Sequence, residues 1–176
     1  TKGRYNTVVG KHALETEGVG DSSTAIGYEA LHSQSSDSDN EITGNTGLGK
    51  GTGYSNVTGQ NNTYVGYYAG YGGSGSNSNN TAVGKDALLA ITDGQYNTVM
   101  GQGAGAALTT ADYNTIIGRV AGAVLTTSGS NTLIGYAAGD AIAAGQTTTD
   151  GTTAVGYASL SALTTGQANT AVGFEA

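Results

Sequence analysis

The chain has 176 residues, of which 31 are Gly, 26 Thr and 24 Ala, against one Phe, one Met and no Trp, Pro or Cys. With 37% hydrophobic and 11% charged residues it is too poor in large side chains for a conventional core and too poor in charge for a swollen disordered coil, so regular repetition is the remaining source of order. Thirteen acidic residues against six basic ones, net charge −7 and pI 4.4 argue against a phosphate-binding surface and against nucleic acid as a partner, while the missing Cys removes disulfides, thiolate metal sites and thiol nucleophiles.

Taken in chain order, a tetrad of Asn, Thr and two further residues followed by Gly recurs ten times, with its Thr at 7, 24, 46, 63, 81, 98, 115, 132, 153 and 170. Six of the nine intervals are 17 residues and the rest are longer, the pattern of one supersecondary unit that accepts loop insertions. The whole of 1–176 reads as a single array, a segment of a longer fibre, with longer loops near 32–44, 71–79 and 140–151. Apolar pairs that do not recur at helical spacing, with a Gly in every unit, disfavour long helices, although 104–108 and 140–144 are compatible with single helical turns. The predicted fold is all-β: a β-solenoid or β-roll of about ten 17-residue coils, each strand stacked on its predecessor at about 4.8 Å.

Each column of the repeat carries its own physical demand. The residue before the Gly is always a large aliphatic, from Val9, Ile26 and Leu48 to Val155 and Val172, and is expected to form the core. Thr7, Thr24, Thr46, Thr63, Thr81, Thr98, Thr115, Thr132, Thr153 and Thr170 share that face of the strand, as expected for an inward hydroxyl ladder, with the residue between them pointing the other way. The invariant Gly suggests a corner with positive φ or packing too close for a Cβ. Asn fills the first position in eight copies, among them Asn6, Asn62, Asn80, Asn97, Asn114, Asn131 and Asn169, with Ser23 and Thr152 in the other two. Stacked amides of this kind hydrogen-bond along a ladder. The position after the Gly alternates Lys11, Tyr28, Lys50, Tyr67 and Lys85, so each ammonium is expected between aromatic neighbours in cation–π contact, or else in a plain solvated column. A strand apolar on both faces, with few large side chains, predicts that neighbouring chains bury further surface.

Little in the chain points to catalysis. His12 and His32 form no metal-binding spacing, and neither a nucleophile elbow nor a phosphate loop with its Lys is present. The insertion 33–41 groups Asp37, Asp39 and Glu41, which fit either a calcium site or a solvated acidic loop. Tyr67, Tyr68 and Tyr71, beside the second insertion, are candidate sugar-stacking residues on a protruding loop. No apolar run reaches the roughly 18 residues of a membrane span, so no membrane insertion is expected. No cofactor and no enzymatic activity are expected either.

Three stretches, Asn80-Thr-Ala-Val-Gly-Lys-Asp-Ala-Leu88, Ser23-Thr-Ala-Ile-Gly-Tyr-Glu-Ala-Leu31 and Thr164-Thr-Gly-Gln-Ala-Asn-Thr-Ala-Val-Gly173, resemble repeats of bacteriophage tail-fibre proteins. They are also similar to the β-roll repeats of trimeric autotransporter adhesin heads. The resemblance implies an elongated homotrimer on a virion or at a cell surface, whose partners are copies of itself and a host or target surface glycan or protein. The coil is longer than in adhesin heads, which favours the tail fibre over a bacterial adhesin or extracellular filament. A third reading is ice binding by a regular Thr array, set back by the expectation that the Thr column faces inward.

Overall fold

The computed structural model describes residues 3–36, 38, 41–72, 75–142 and 149–176. Ten three-residue strands follow one another: β1 (Thr7–Val9), β2 (Thr24–Ile26), β3 (Thr46–Leu48), β4 (Thr63–Val65), β5 (Thr81–Val83), β6 (Thr98–Met100), β7 (Thr115–Ile117), β8 (Thr132–Ile134), β9 (Thr153–Val155) and β10 (Thr170–Val172). They form one parallel sheet in sequential order, Thr on Thr at every step, so the chain is an all-β solenoid of about nine turns. No helix occurs among the described residues.

The backbone ladder continues around each corner. Gly27 N donates to Val9 O at 2.8 Å, Glu29 N to Lys11 O at 3.0 Å and Leu31 N to Thr52 O at 2.8 Å, so alternate residues bond to the coil below and the coil above. The corner Gly has φ between 132° and 143° in all ten copies, and a Cβ on Gly118 would lie 2.2 Å from the carbonyl oxygen of Gly135. Both demands the sequence suggests for this column therefore apply together. Positions two and four residues after the Gly are left-handed as well, for example Asp86 (φ 58°) and Leu88 (φ 51°). This alternation is why 104–108 is not helical: Gly103 and Gly105 have φ of 65° and 52°, and Gly105 N donates to Ala121 O of the next coil rather than within its own turn. Of 140–144, residues 140–142 form a turn closed by Ile142 N to Gly139 O at 3.2 Å, and 143–144 lie outside the described residues.

The structure reverses the predicted core column. In β2 to β9 the middle residue is the buried one, and Thr and the aliphatic face outward. Alternation shows which residues share a face; with both faces apolar it does not show which face is inside. The interior cross-section decides. Where the strand centre is small, as at Ala25, Ala82 and Ala154, a Leu four residues past the corner Gly fills the space: Leu31, Leu88 and Leu160. Where it is large, as at Tyr64, Val99, Ile116 and Leu133, that position is Gly70, Gly105, Gly122 or Gly139. A Cβ on Gly70 would stand 2.5 Å from the Tyr64 ring, and one on Gly122 2.9 Å from Leu133, so the two columns share one filled interior volume.

Candidate functional site

The outward face of the sheet is the most regular surface of the molecule. It presents two columns, Thr and aliphatic, in register at every rung and without a charged side chain. Leu48 is 46% exposed and Met100 41%; one such side chain alone is ordinary, but aligned in a single column they form a continuous apolar stripe. None of the ten column Thr hydroxyls has a hydrogen-bond partner among the described residues. The predicted Thr ladder is thus a row of free hydroxyls about 4.8 Å apart, facing out of the solenoid.

The Asn column points inward. Asn97 Nδ2 donates to Asn80 Oδ1 at 3.1 Å and to Ala111 O at 2.8 Å, while its own Oδ1 accepts from Asn114 N and Asn114 Nδ2, each at 3.0 Å. The same pattern links Asn45 to Asn62 and Asn114 to Asn131, and Asn131 Oδ1 accepts Thr152 N at 2.9 Å. Asn6 Nδ2 donates to Gly20 O and Asn169 Nδ2 to Gly166 O, each at 2.8 Å. The two exceptions behave differently. Ser23 is too short for the ladder, and the buried Gln34 fills in: its Nε2 reaches Ser23 Oγ at 3.0 Å, Thr43 Oγ1 at 3.1 Å and Glu17 Oε2 at 2.9 Å. Thr152 has no such help, and its Oγ1 is buried without a partner.

Glu17 closes this network. Partial burial raises its pKa, but hydrogen bonds from Gly20 N, Gln34 Nε2, Val19 N and Ser36 N outweigh that and hold the carboxyl below its ordinary value. Tyr64, wholly buried, donates its hydroxyl to Asn77 Oδ1, and burial pushes that phenol upward.

On the turn beside the corner Gly, the alternating column takes the geometry of a cation–aromatic ladder in part: Lys50 has rings on both sides, Lys85 and Arg119 on one, and Lys11 makes no ring contact among the described residues. The Lys50 ammonium lies 5.5 Å from the Tyr28 ring centroid and 5.6 Å from those of Tyr67 and Tyr68; Lys85 lies 5.8 Å from Tyr67 and the Arg119 guanidinium 5.6 Å from Tyr136. Tyr136, Tyr157 and Phe174 then stack at 5.0 Å intervals in the same column. A second aromatic column, not singled out from the sequence, runs His32, Tyr54, Tyr71 at centroid separations of 4.7 and 5.0 Å. Its signal was the constant offset of five residues from the corner Gly. Glu15 sits one rung below and accepts from His12 Nδ1 at 2.8 Å and His32 Nε2 at 2.9 Å. Tyr67, Tyr68 and Tyr71 gather, with ring centroids 4.1 and 4.8 Å apart in tilted and edge-on contacts; Tyr71 also stacks on Tyr54, and Tyr67 stays exposed.

Of the three candidate calcium ligands, Asp37 and Asp39 lie outside the described residues, and the Glu41 carboxylate accepts from Gln60 Nε2. Among the described residues no group of three acidic or His side chains is arranged to hold a metal ion. The insertions are partly structural. Gln34, Thr43, Asn77 and Thr149 are buried and hydrogen-bonded, and an open groove between Val57, Thr58, Gly75, Ser76 and Asp93 flanks the second insertion. Comparison with protein-family models, curated proteins and solved structures gave no match.

Proposed function

We infer that the chain is a non-catalytic shaft segment of a homotrimeric fibre, a phage tail fibre or related surface appendage, that holds attachment surfaces rigidly at a distance from the particle or cell. The observation that carries this reading is the outward aliphatic column. Ten in-register rungs each turn a Val, Ile, Leu or Met outward on a face without charge, Val9, Leu48, Met100 and Val172 exposed and the other six half-buried, which is apolar surface suited to burial against further copies of the chain. The uniform rungs support a rod, and the tail-fibre resemblance supports three chains on a virion or at a cell surface. Light scattering with small-angle scattering tests it: a rod of three times 17.3 kDa is expected. A compact monomer overturns the reading.

The outward Thr row favours a second reading, ice binding, since its hydroxyls are free and regularly spaced. The neighbouring column mixes Leu48 and Met100 with Val and Ile, an irregularity that suits protein packing better than a crystal lattice. Thermal hysteresis in a nanolitre osmometer would establish this second reading; its absence removes it.

A further inference from the structure

Four of the six basic residues of the chain lie in one column and on alternate coils: Lys11 with β1, Lys50 with β3, Lys85 with β5 and Arg119 with β7. All four are exposed. With rungs about 4.8 Å apart, the column carries one cation per roughly 9.6 Å along the solenoid axis. Lys50 lies between Tyr28 and Tyr67 at 5.5 and 5.6 Å, Lys85 beside Tyr67 at 5.8 Å and Arg119 beside Tyr136 at 5.6 Å, so these three charges are held along the column by neighbouring rings. We propose that this column is a binding strip for a linear acidic polysaccharide bearing one carboxylate per disaccharide, laid along the fibre axis.

Charge density makes the choice of ligand. An extended disaccharide is close in length to two rungs, so each carboxylate meets one cation while the interleaved Tyr28, Tyr67, Gln102 and Tyr136 supply polar groups to the sugar hydroxyls. Double-stranded DNA, with one charge per about 1.7 Å, is mismatched to a strip that carries one cation on every second rung. Glu29 and Asp86 sit one position further along the coil, Asp86 at 2.5 Å from Lys85, so the surface is no general polyanion trap. Each exposed pair is weak, and affinity comes from engaging several rungs at once.

The strip rests on the attachment reading and names its ligand class. The probe is biotinylated hyaluronan, with dextran as the neutral control, against the purified protein by biolayer interferometry. Hyaluronan is expected to bind at low salt and weaken as salt rises, and dextran not to bind. K11Q/K50Q/K85Q should lose about tenfold in affinity with an unchanged far-ultraviolet spectrum. K50Q/Y67K keeps the net charge but breaks the two-rung spacing, and should lose severalfold. Equal binding of dextran, or full affinity in K50Q/Y67K, overturns the proposal. So does a lack of hyaluronan binding by a protein that is a trimeric rod and still adheres to its target surface, an outcome that leaves the attachment reading standing.

Discussion

The column seven residues past the corner Gly divides the solenoid into two regions. In the first coils it reads Glu17, Gln34 and Asn56; from β5 onward it reads Ile91, Leu108, Leu125, Ile142 and Leu163. Gln34 and Asn56 are as fully buried as Ile91 and Leu108. The same backbone rung therefore accepts a hydrogen-bonded amide or an aliphatic side chain at one position, provided the amide is satisfied. Gln34 is, through Glu17, Ser23, Thr43 and Asn45, and Asn56 is, through Gly59 N at 3.0 Å and Gly59 O at 3.2 Å. The polar filling also accompanies the first insertion, whose Gln34 and Thr43 turn inward and pack on Ser23. The lesson is that the solenoid is set by its backbone ladder and corner geometry, and the interior needs only to be full and satisfied.

Swapping the two fillings is the strongest way to break this equivalence. Leu108→Gln puts an amide where only Leu and Ile neighbours line the column, and should cost about 4 kcal/mol in urea denaturation. Gln34→Leu should cost less, about 2 to 3 kcal/mol, by stranding the Asn45 and Thr43 partners it now serves. If Leu108→Gln proved the milder of the two, the contrast between the regions would be wrong.

An acid titration sharpens the contrast next. Because the Glu17 carboxyl is held below its ordinary 4.5 in the folded chain, its contribution is complete above that value and is lost as pH falls through the folded pKa. Stability measured between pH 7 and pH 3 should therefore fall below about pH 4.5, and the fall should be shallower in Glu17→Gln. Parallel acid limbs in the two proteins would show that the network does not depend on the ionised carboxylate.

The smallest effect concerns the break in the Asn ladder at Thr152, whose hydroxyl is buried without a partner. Thr152→Asn should restore a bond to Asn131 Oδ1 and raise the unfolding free energy by about 1 kcal/mol. A loss of stability would mean that the coil bearing the third insertion has no room for an amide.

Much of the fold was legible in the residues. The ten strands start at the ten repeat Thr residues, and the corner Gly column adopts the positive φ its invariance suggests. The left-handed position two residues before each Thr was not legible, because residues as different as Tyr5, Ser22, Asn79, Tyr113 and Ala168 occupy it. What selects that conformation is the hydrogen bond to the neighbouring coil, as in Ser22 N to Arg4 O at 2.9 Å, which no single unit contains. The surface columns were half legible: the Lys and Tyr alternation predicted contacts across rungs, while the His32, Tyr54, Tyr71 stack needed the coil to bring together residues separated by an insertion.

The repeat, its register, the all-β solenoid and the two residues of each strand that share a face were all readable from local spacing and side-chain alternation. Which face is inside depends on how the coils pack. With apolar residues on both sides of every strand, hydropathy is silent on that point. The answer came from volume: Leu31 against Ala25, and Gly122 against Ile116, fill one narrow interior together and leave Thr and the aliphatic column facing out.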